Sequence, residues 1–189
     1  MFDKINTVLK NGGLIAFPTD TVWGIGCLPT HLQAIKKIYE LKGRDKNKPL
    51  ILMSYHLDFL LPYTHPPFPE AAKKLAQKHW PGALTLVVHK SDKTPNDISA
   101  NLNTVGIRVP NCKTFQALCQ HIDGHVLATT SANISGMPPA TNYQEALKYI
   151  GNKVDYIICC NEENSKKSST VIGFHENTPI VFRQGDIII

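Results

Sequence analysis

Apolar positions along the chain alternate between helical spacing and short uninterrupted runs. Ile5, Val8 and Leu9 share one face of a short amphipathic helix that Asp3 can cap. Asn11-Gly12-Gly13 ends it, because these residues tolerate positive φ. Leu14–Phe17 then reads as a buried strand stopped by Pro18. Leu32, Ile35, Ile38 and Leu41 mark a second helix, with Thr30 as its expected cap, and the polar loop Lys42–Lys48 leads into a strand at Leu50–Met53. Helices at Glu70–Lys78, Thr114–Ile122 and Tyr143–Ile150 interleave with strands at Leu84–Val88, Val105–Val109 and Val126–Thr130. Lys90–Asn103 and Ser131–Ala140 read as loops. Four further strands are expected at Tyr156–Cys160, Thr170–Phe174, Ile180–Phe182 and Asp186–Ile189. Interleaved but imperfectly alternating elements predict an α/β protein with a mixed sheet, and no linker-like stretch divides the 189 residues, so 1–189 reads as one domain.

Composition narrows this little: 42% hydrophobic and 19% charged residues exclude disordered, collagen-like and coiled-coil classes. Charge adds more. Twenty basic against fifteen acidic residues give +5, which suits an anionic ligand such as a nucleotide or RNA. The longest apolar runs, Leu84–Val88 and Tyr156–Cys160, are far short of the roughly 20 residues of a membrane span. The first residues lack the apolar core of a signal peptide. The five cysteines (27, 112, 119, 159 and 160) show no Cys-x-x-Cys, and reduced thiols in the cytoplasm are the expectation.

Three stretches carry candidate polar groups, the first and third of them where a strand ends, the usual place for ligands in α/β sheets. Pro18-Thr19-Asp20-Thr21-Val22-Trp23-Gly24-Ile25-Gly26 follows the first strand; alone it reads equally as a capped turn, and it lacks the third glycine of a dinucleotide fingerprint. Residues 36–48 hold six basic side chains (Lys36, Lys37, Lys42, Arg44, Lys46, Lys48) against Glu40 and Asp45. That stretch is either a phosphate clamp or a solvated basic loop. Thr129-Thr130-Ser131-Ala132-Asn133-Ile134-Ser135-Gly136 gathers hydroxyls and an amide suited to sugar or phosphate oxygens. Arg108, beside Thr104, and Arg183, with Ser168-Ser169 and Gly185, adjoin apolar strands; each needs an anionic partner, an internal carboxylate or a ligand. His121 and His125 are spaced i, i+4, but Gly124 between them argues against zinc. Trp23 and Trp80 read as core.

Taken in order, Pro-Thr-Asp-Thr-Val-Trp-Gly-Ile-Gly, Lys42-Gly-Arg44-x-x-x-Lys48-Pro-Leu, Trp80-Pro-Gly-Ala-Leu-Thr85, Val105-Gly-Ile-Arg108-Val-Pro110, Ser131-Ala-Asn-Ile-Ser-Gly136 and Ser168-Ser-Thr…Arg183-x-Gly185 resemble the YrdC/Sua5 family of threonylcarbamoyl-AMP synthases, from about Leu14 to Gly185. The length matches the short form of that family. The resemblance implies a YrdC-like twisted mixed sheet flanked by helices around a basic cavity. It implies a nucleotidyltransferase that converts L-threonine, bicarbonate and ATP to L-threonylcarbamoyladenylate and pyrophosphate, with Mg2+ carried on the nucleotide phosphates. The product would pass to a separate threonylcarbamoyl transferase complex that modifies tRNA next to the anticodon.

By the same resemblance Lys42 and Arg44 would act in catalysis, and Lys42, Arg44, Lys48, Thr104, Ser131, Asn133 and Arg183 would surround ATP. Thr21, Arg108, Thr129 and Ser169 would hold threonine. Three positions depart from the family pattern: Asp45 follows Arg44, Met53 stands where many members have histidine, and Pro139 where longer members often have serine. The alternative is an RNA-binding module of the same fold without synthase activity, motivated by the basic 36–48 stretch; hydrogenase-maturation carbamoyl transferases are larger. Whether 161–168, with Lys166-Lys167, forms a lid is left open by the sequence.

Overall fold

The computed structural model describes residues 1–160 and 162–189, so the first residue of the 161–168 segment lies outside the described residues. The predicted periodicities are realised as helices α1 (Phe2–Lys10), α2 (Leu32–Lys42), α3 (Glu70–His79), α4 (Asn96–Ser99), α5 (Lys113–His121) and α6 (Tyr143–Ile150). The strands are β1 (Ile15–Phe17), β2 (Gly24–Cys27), β3 (Ile51–Ser54), β4 (Leu84–His89), β5 (Thr104–Arg108), β6 (Val126–Ser131), β7 (Tyr156–Ile157), β8 (Thr170–His175) and β9 (Thr178–Arg183). They form one mixed sheet in the order β7-β1-β2-β6-β3-β5-β4-β8-β9. The β1/β7, β3/β5 and β4/β8 pairs are parallel and the rest antiparallel.

Alternation along each strand splits the core in two. Ala16, Ile25, Leu52, Leu86, Ile107, Ala128 and Ile172 share one cluster with Ile35 and Ile38 of α2, Ala72 and Ala76 of α3, Ile98 of α4 and Ala146 and Ile150 of α6. Ile15, Phe17, Met53 and Leu127 point the other way, onto Ile5 and Leu9 of α1 and Phe115 and Leu118 of α5. The second cluster covers only the β7-β1-β2-β6-β3 side of its face. Among the described residues no helix packs on the same face of β5, β4 and β8, and that gap positions the site.

The structure differs from the sequence reading in several places. Gly24–Cys27, read there as loop, is strand β2, hydrogen-bonded between β1 and β6. The expected strand at Asp186–Ile189 is absent, and Tyr156–Cys160 shortens to Tyr156–Ile157. The Lys90–Asn103 loop contains the single turn α4. Neither Asp3 nor Thr30 caps its helix: the N-cap positions are Met1 and His31, without side-chain bonds. The five cysteines are free. His121 and His125 direct Nδ1 to different carbonyls, those of Ala117 and Cys119. No helix among the described residues is long and apolar enough to cross a membrane.

Candidate active site

Sheet register lays out the floor of the site. Thr129 of β6 is paired with Ile51 of β3, which is paired with Gly106 of β5; two residues on, Met53 is paired with Arg108. Thr85 of β4 is paired with Val171 of β8, and Val171 with Arg183 of β9. Registered neighbours project to the same face, so these side chains form one surface on the uncovered side. The Thr19–Gly24 segment, Arg44, Lys48, Pro49, Ser131 and Ser168-Ser169 wall it into a cavity of about 350 Å³.

Arg108 emerges from β5, only 2% exposed. Its Nη2 donates to Asp20 Oδ1 at 2.6 Å, Nη1 to Thr21 Oγ1 at 2.8 Å and Nε to the Gly82 carbonyl at 3.0 Å. The internal carboxylate that an arginine on an apolar strand requires is therefore Asp20. Burial draws the Arg108 pKa down while Asp20 draws it back up. Three of the five guanidinium N–H groups are engaged in these bonds, leaving two for a ligand. Thr19 Oγ1 donates to the Val22 carbonyl at 2.6 Å and lies 2.9 Å from Thr21 Oγ1, which fixes the turn.

Three further cations of the cavity have no carboxylate partner among the described residues. Gly43, at φ 55°, ends α2 in the left-handed region and turns the chain so that Arg44 faces back toward β3. Arg44 Nε donates to the Lys48 carbonyl at 2.9 Å and Nη2 to the Pro49 carbonyl at 2.8 Å. Arg183 Nε donates to the Ser169 carbonyl at 3.0 Å and Nη2 to Ser169 Oγ at 3.2 Å. Burial lowers the pKa of both arginines. Among the described residues Arg44, Lys48 and Arg183 make no ion pair, although all three line the cavity. A concave, partly desolvated surface with three uncompensated cations favours a polyanion.

Of the residues expected to bind ligands, Thr21, Arg44, Lys48, Arg108, Thr129, Ser131, Ser169 and Arg183 line the cavity, as does Met53. Lys42, Asn133 and Thr104 do not. Lys42 is 1% exposed, and its ammonium donates to Ser131 O at 2.5 Å, Asn133 O at 2.7 Å and Asn133 Oδ1 at 2.8 Å, which uses all three N–H groups. Asn133 accepts from Lys42 and Ser131 and donates to the Met137 carbonyl at 2.5 Å. Thr104 sits at the far end of β5, opposite His89 and about 13 Å from Arg108 at the usual strand rise. The basic 36–48 stretch is thus divided: Lys42 turns inward, Arg44 and Lys48 enter the cavity, and Lys36 and Lys46 border a separate depression beside Tyr39 and Asp97.

Two further groups belong to the cavity: Thr85, to which the sequence reading gave no role of its own, and Ser168, which it named beside Ser169. Thr85 Oγ1 lies 2.8 Å from Ser169 Oγ, and Ser168 joins the wall. A threonine between Leu84 and Leu86 in an apolar strand is the available signal for the first. Gly185 has a steric role: a Cβ there would sit 2.4 Å from Ser168 O and 2.5 Å from Thr170 N, both backbone atoms. Gly185→Ala is therefore expected to lower stability by about 1–3 kcal/mol in denaturant unfolding, because the β8–β9 hairpin must shift and carry Arg183 with it.

A mixed α/β sheet with an uncovered half-face, whose cavity carries hydroxyls and three cations without an ion pair among the described residues, suits an anionic ligand. The family model described as telomere recombination, that of Sua5, YciO and YrdC proteins, matches residues 7–185, and the chain belongs to that family. A threonylcarbamoyl-AMP synthase of Pyrococcus abyssi is 36% identical over 95% of this chain, which spans 52% of that relative's length. One from Vibrio parahaemolyticus is 33% identical over 97% of this chain and 98% of its own. The crystal structure of P. abyssi Sua5 complexed with L-threonine superposes with a TM-score of 0.92 at 35% identity, covering 97% of this chain and 54% of that one.

Proposed function

We propose that this protein is an L-threonylcarbamoyladenylate synthase, consuming L-threonine, bicarbonate and ATP and releasing pyrophosphate. The observation that carries this reading is one cavity that holds Arg44, Lys48 and Arg183, without ion-pair partners among the described residues, together with the buried Arg108–Thr21 pair. Family membership and the threonine-bound relative support threonine as a substrate. The two free N–H groups of Arg108 take the threonine carboxylate, with Thr21, Thr129 and Ser169 beside it. The amine attacks the bicarbonate carbon with loss of water. A carbamate oxygen then attacks the α-phosphorus, and the P–O bond to pyrophosphate breaks.

Charge grows on the departing pyrophosphate, and preorganised cations stabilise that charge more than they stabilise the ground state. Holding the short-lived carbamate in line replaces an encounter in solution. No side-chain nucleophile is required. Lys42 works here through the Ser131–Asn133 turn and not by touching ATP. Mg2+ enters on the phosphates, since Asp20, the carboxylate beside the cavity, is committed to Arg108. The setting is the cytoplasm, and the product passes to a tRNA-modifying transferase.

Pyrophosphate release from ATP is expected to require both L-threonine and bicarbonate; release indifferent to either one would refute the assignment. Arg44→Ala and Arg183→Ala are expected to lower kcat/KM for ATP about 100-fold each, since each removes a charge-assisted contact to the phosphates. Unchanged ATP dependence in both variants would refute the phosphate clamp.

A further inference from the structure

Residues 162–167, between β7 and β8, run as a strap along the Thr19–Thr21 turn. Ser165 N donates to the Asp20 carbonyl and Lys166 N to the Thr21 carbonyl, both at 3.0 Å. Asn164 Nδ2 donates to the Thr141 carbonyl at 2.7 Å, and Lys167 Nζ lies 3.1 Å from Asp186 Oδ1. The strap then enters Ser168 and Ser169, and Ser169 anchors Arg183. One short stretch of backbone therefore holds both the turn carrying Thr21 and the Ser169 anchor of Arg183.

Glu162 fastens the start of this strap. Its Oε1 accepts from Thr114 N at 2.7 Å and from the Thr114 hydroxyl, and its Oε2 accepts from Cys112 Sγ at 2.8 Å. These contacts put a carboxylate at the first turn of α5, where backbone N–H groups lack helical partners and negative charge is favoured. Cys112 Sγ also lies 3.5 Å from the carbonyl of Pro18, the residue that leads into the Thr19–Thr21 turn. Glu162 is thus linked to the turn through Cys112, while Ser165 and Lys166 bond the turn directly. Glu162 is not among the residues that line the cavity.

We propose that Glu162 is a positioning residue for this site, latching the strap to α5 so that Thr21, Arg108 and the Ser169–Arg183 anchor keep their spacing. This rests on the synthase reading for its kinetic consequences and on geometry alone for its structural ones.

The test compares Glu162→Ala, Glu162→Gln and Asn164→Ala in the whole protein. It reads hydrogen exchange at the Ser165 and Lys166 amides together with KM and kcat for threonine and ATP. In Glu162→Ala and in Asn164→Ala those two amides are expected to exchange about 10-fold faster, since local opening governs their protection. KM for both substrates should rise about 5- to 10-fold with kcat altered less, because looser positioning acts mainly on binding. Glu162→Gln, which keeps an acceptor for Thr114, should recover most of both effects. A lowered melting temperature with unchanged exchange at 165–166 and unchanged KM would make Glu162 a helix cap only and overturn the proposal. If Glu162→Ala does not fold, Asn164→Ala and Glu162→Gln decide by the same readings. Should the wild type release no pyrophosphate, the synthase reading fails by itself, and the exchange data still decide whether Glu162 holds the strap.

Discussion

Arg108→Ala is expected to cost about 3–5 kcal/mol of stability and to abolish threonine-dependent pyrophosphate release, because it breaks a buried ion pair from one side. Arg108 is 2% exposed and the Asp20 side chain 15%, so the carboxylate left behind has little water to turn to. Thr21 Oγ1 and the Gly82 carbonyl lose their donor as well. Stability loss alone could account for lost activity, so the informative variant is Asp20→Ala combined with Arg108→Ala. Removing both charges takes away the unpaired carboxylate, so the double variant is expected to be more stable than Arg108→Ala alone, with a coupling in the double-mutant cycle larger than the cost of Asp20→Ala by itself. Activity is expected not to return, since the threonine carboxylate still lacks its guanidinium. Denaturant unfolding and pyrophosphate release across the four proteins measure this. An active double variant would show that Arg108 serves the fold alone.

This pair also marks how far the sequence carried the site. Patterning located most helices and strands because each buries one face against the sheet. It missed β2, whose Gly-Ile-Gly-Cys sequence has low strand propensity and becomes a strand through pairing with β1 and β6 on both sides. It overextended the C-terminus, where Ile187-Ile188-Ile189 looks like a strand but gains no partner in the sheet. The motifs named the residues of the cavity but not their orientation. Side-chain direction decides whether a cation meets solvent, ligand or backbone, and tertiary contacts set that direction. Lys42, Arg44 and Lys48 look alike in a basic loop, yet α2 ends such that Lys42 points into the protein while Gly43 turns the other two toward the floor. Asp20 stood in the motif without a partner because its arginine is 88 residues away.

Lys42 gives the second large effect. Lys42→Met keeps the length of the side chain and removes its donors, so Ser131 O, Asn133 O and Asn133 Oδ1 lose a bonding partner inside the protein. The Ser131–Asn133 turn is expected to shift by a fraction of an ångström to find replacements, and nucleotide affinity to fall about 10- to 100-fold, the scale on which small misplacements act. Burial, and then repulsion from Arg44, draw the Lys42 pKa from 10.5 down to about 7. Above that pH the amine has two N–H groups for three acceptors, so wild-type nucleotide affinity should weaken between about pH 7 and pH 9, whereas Lys42→Met binds weakly at every pH. Stability moves the opposite way. The unfolded lysine keeps its proton up to 10.5 while the native one releases it near 7, so the unfolded chain binds more protons in that window and this group makes the fold more stable as pH rises. Isothermal titration with a non-hydrolysable ATP analogue, set beside melting curves at the same pH values, separates the two. Affinity falling while the contribution of Lys42 to stability rises is the signature of a cation that shapes the site from behind; a Lys42→Met variant with wild-type affinity would remove that role.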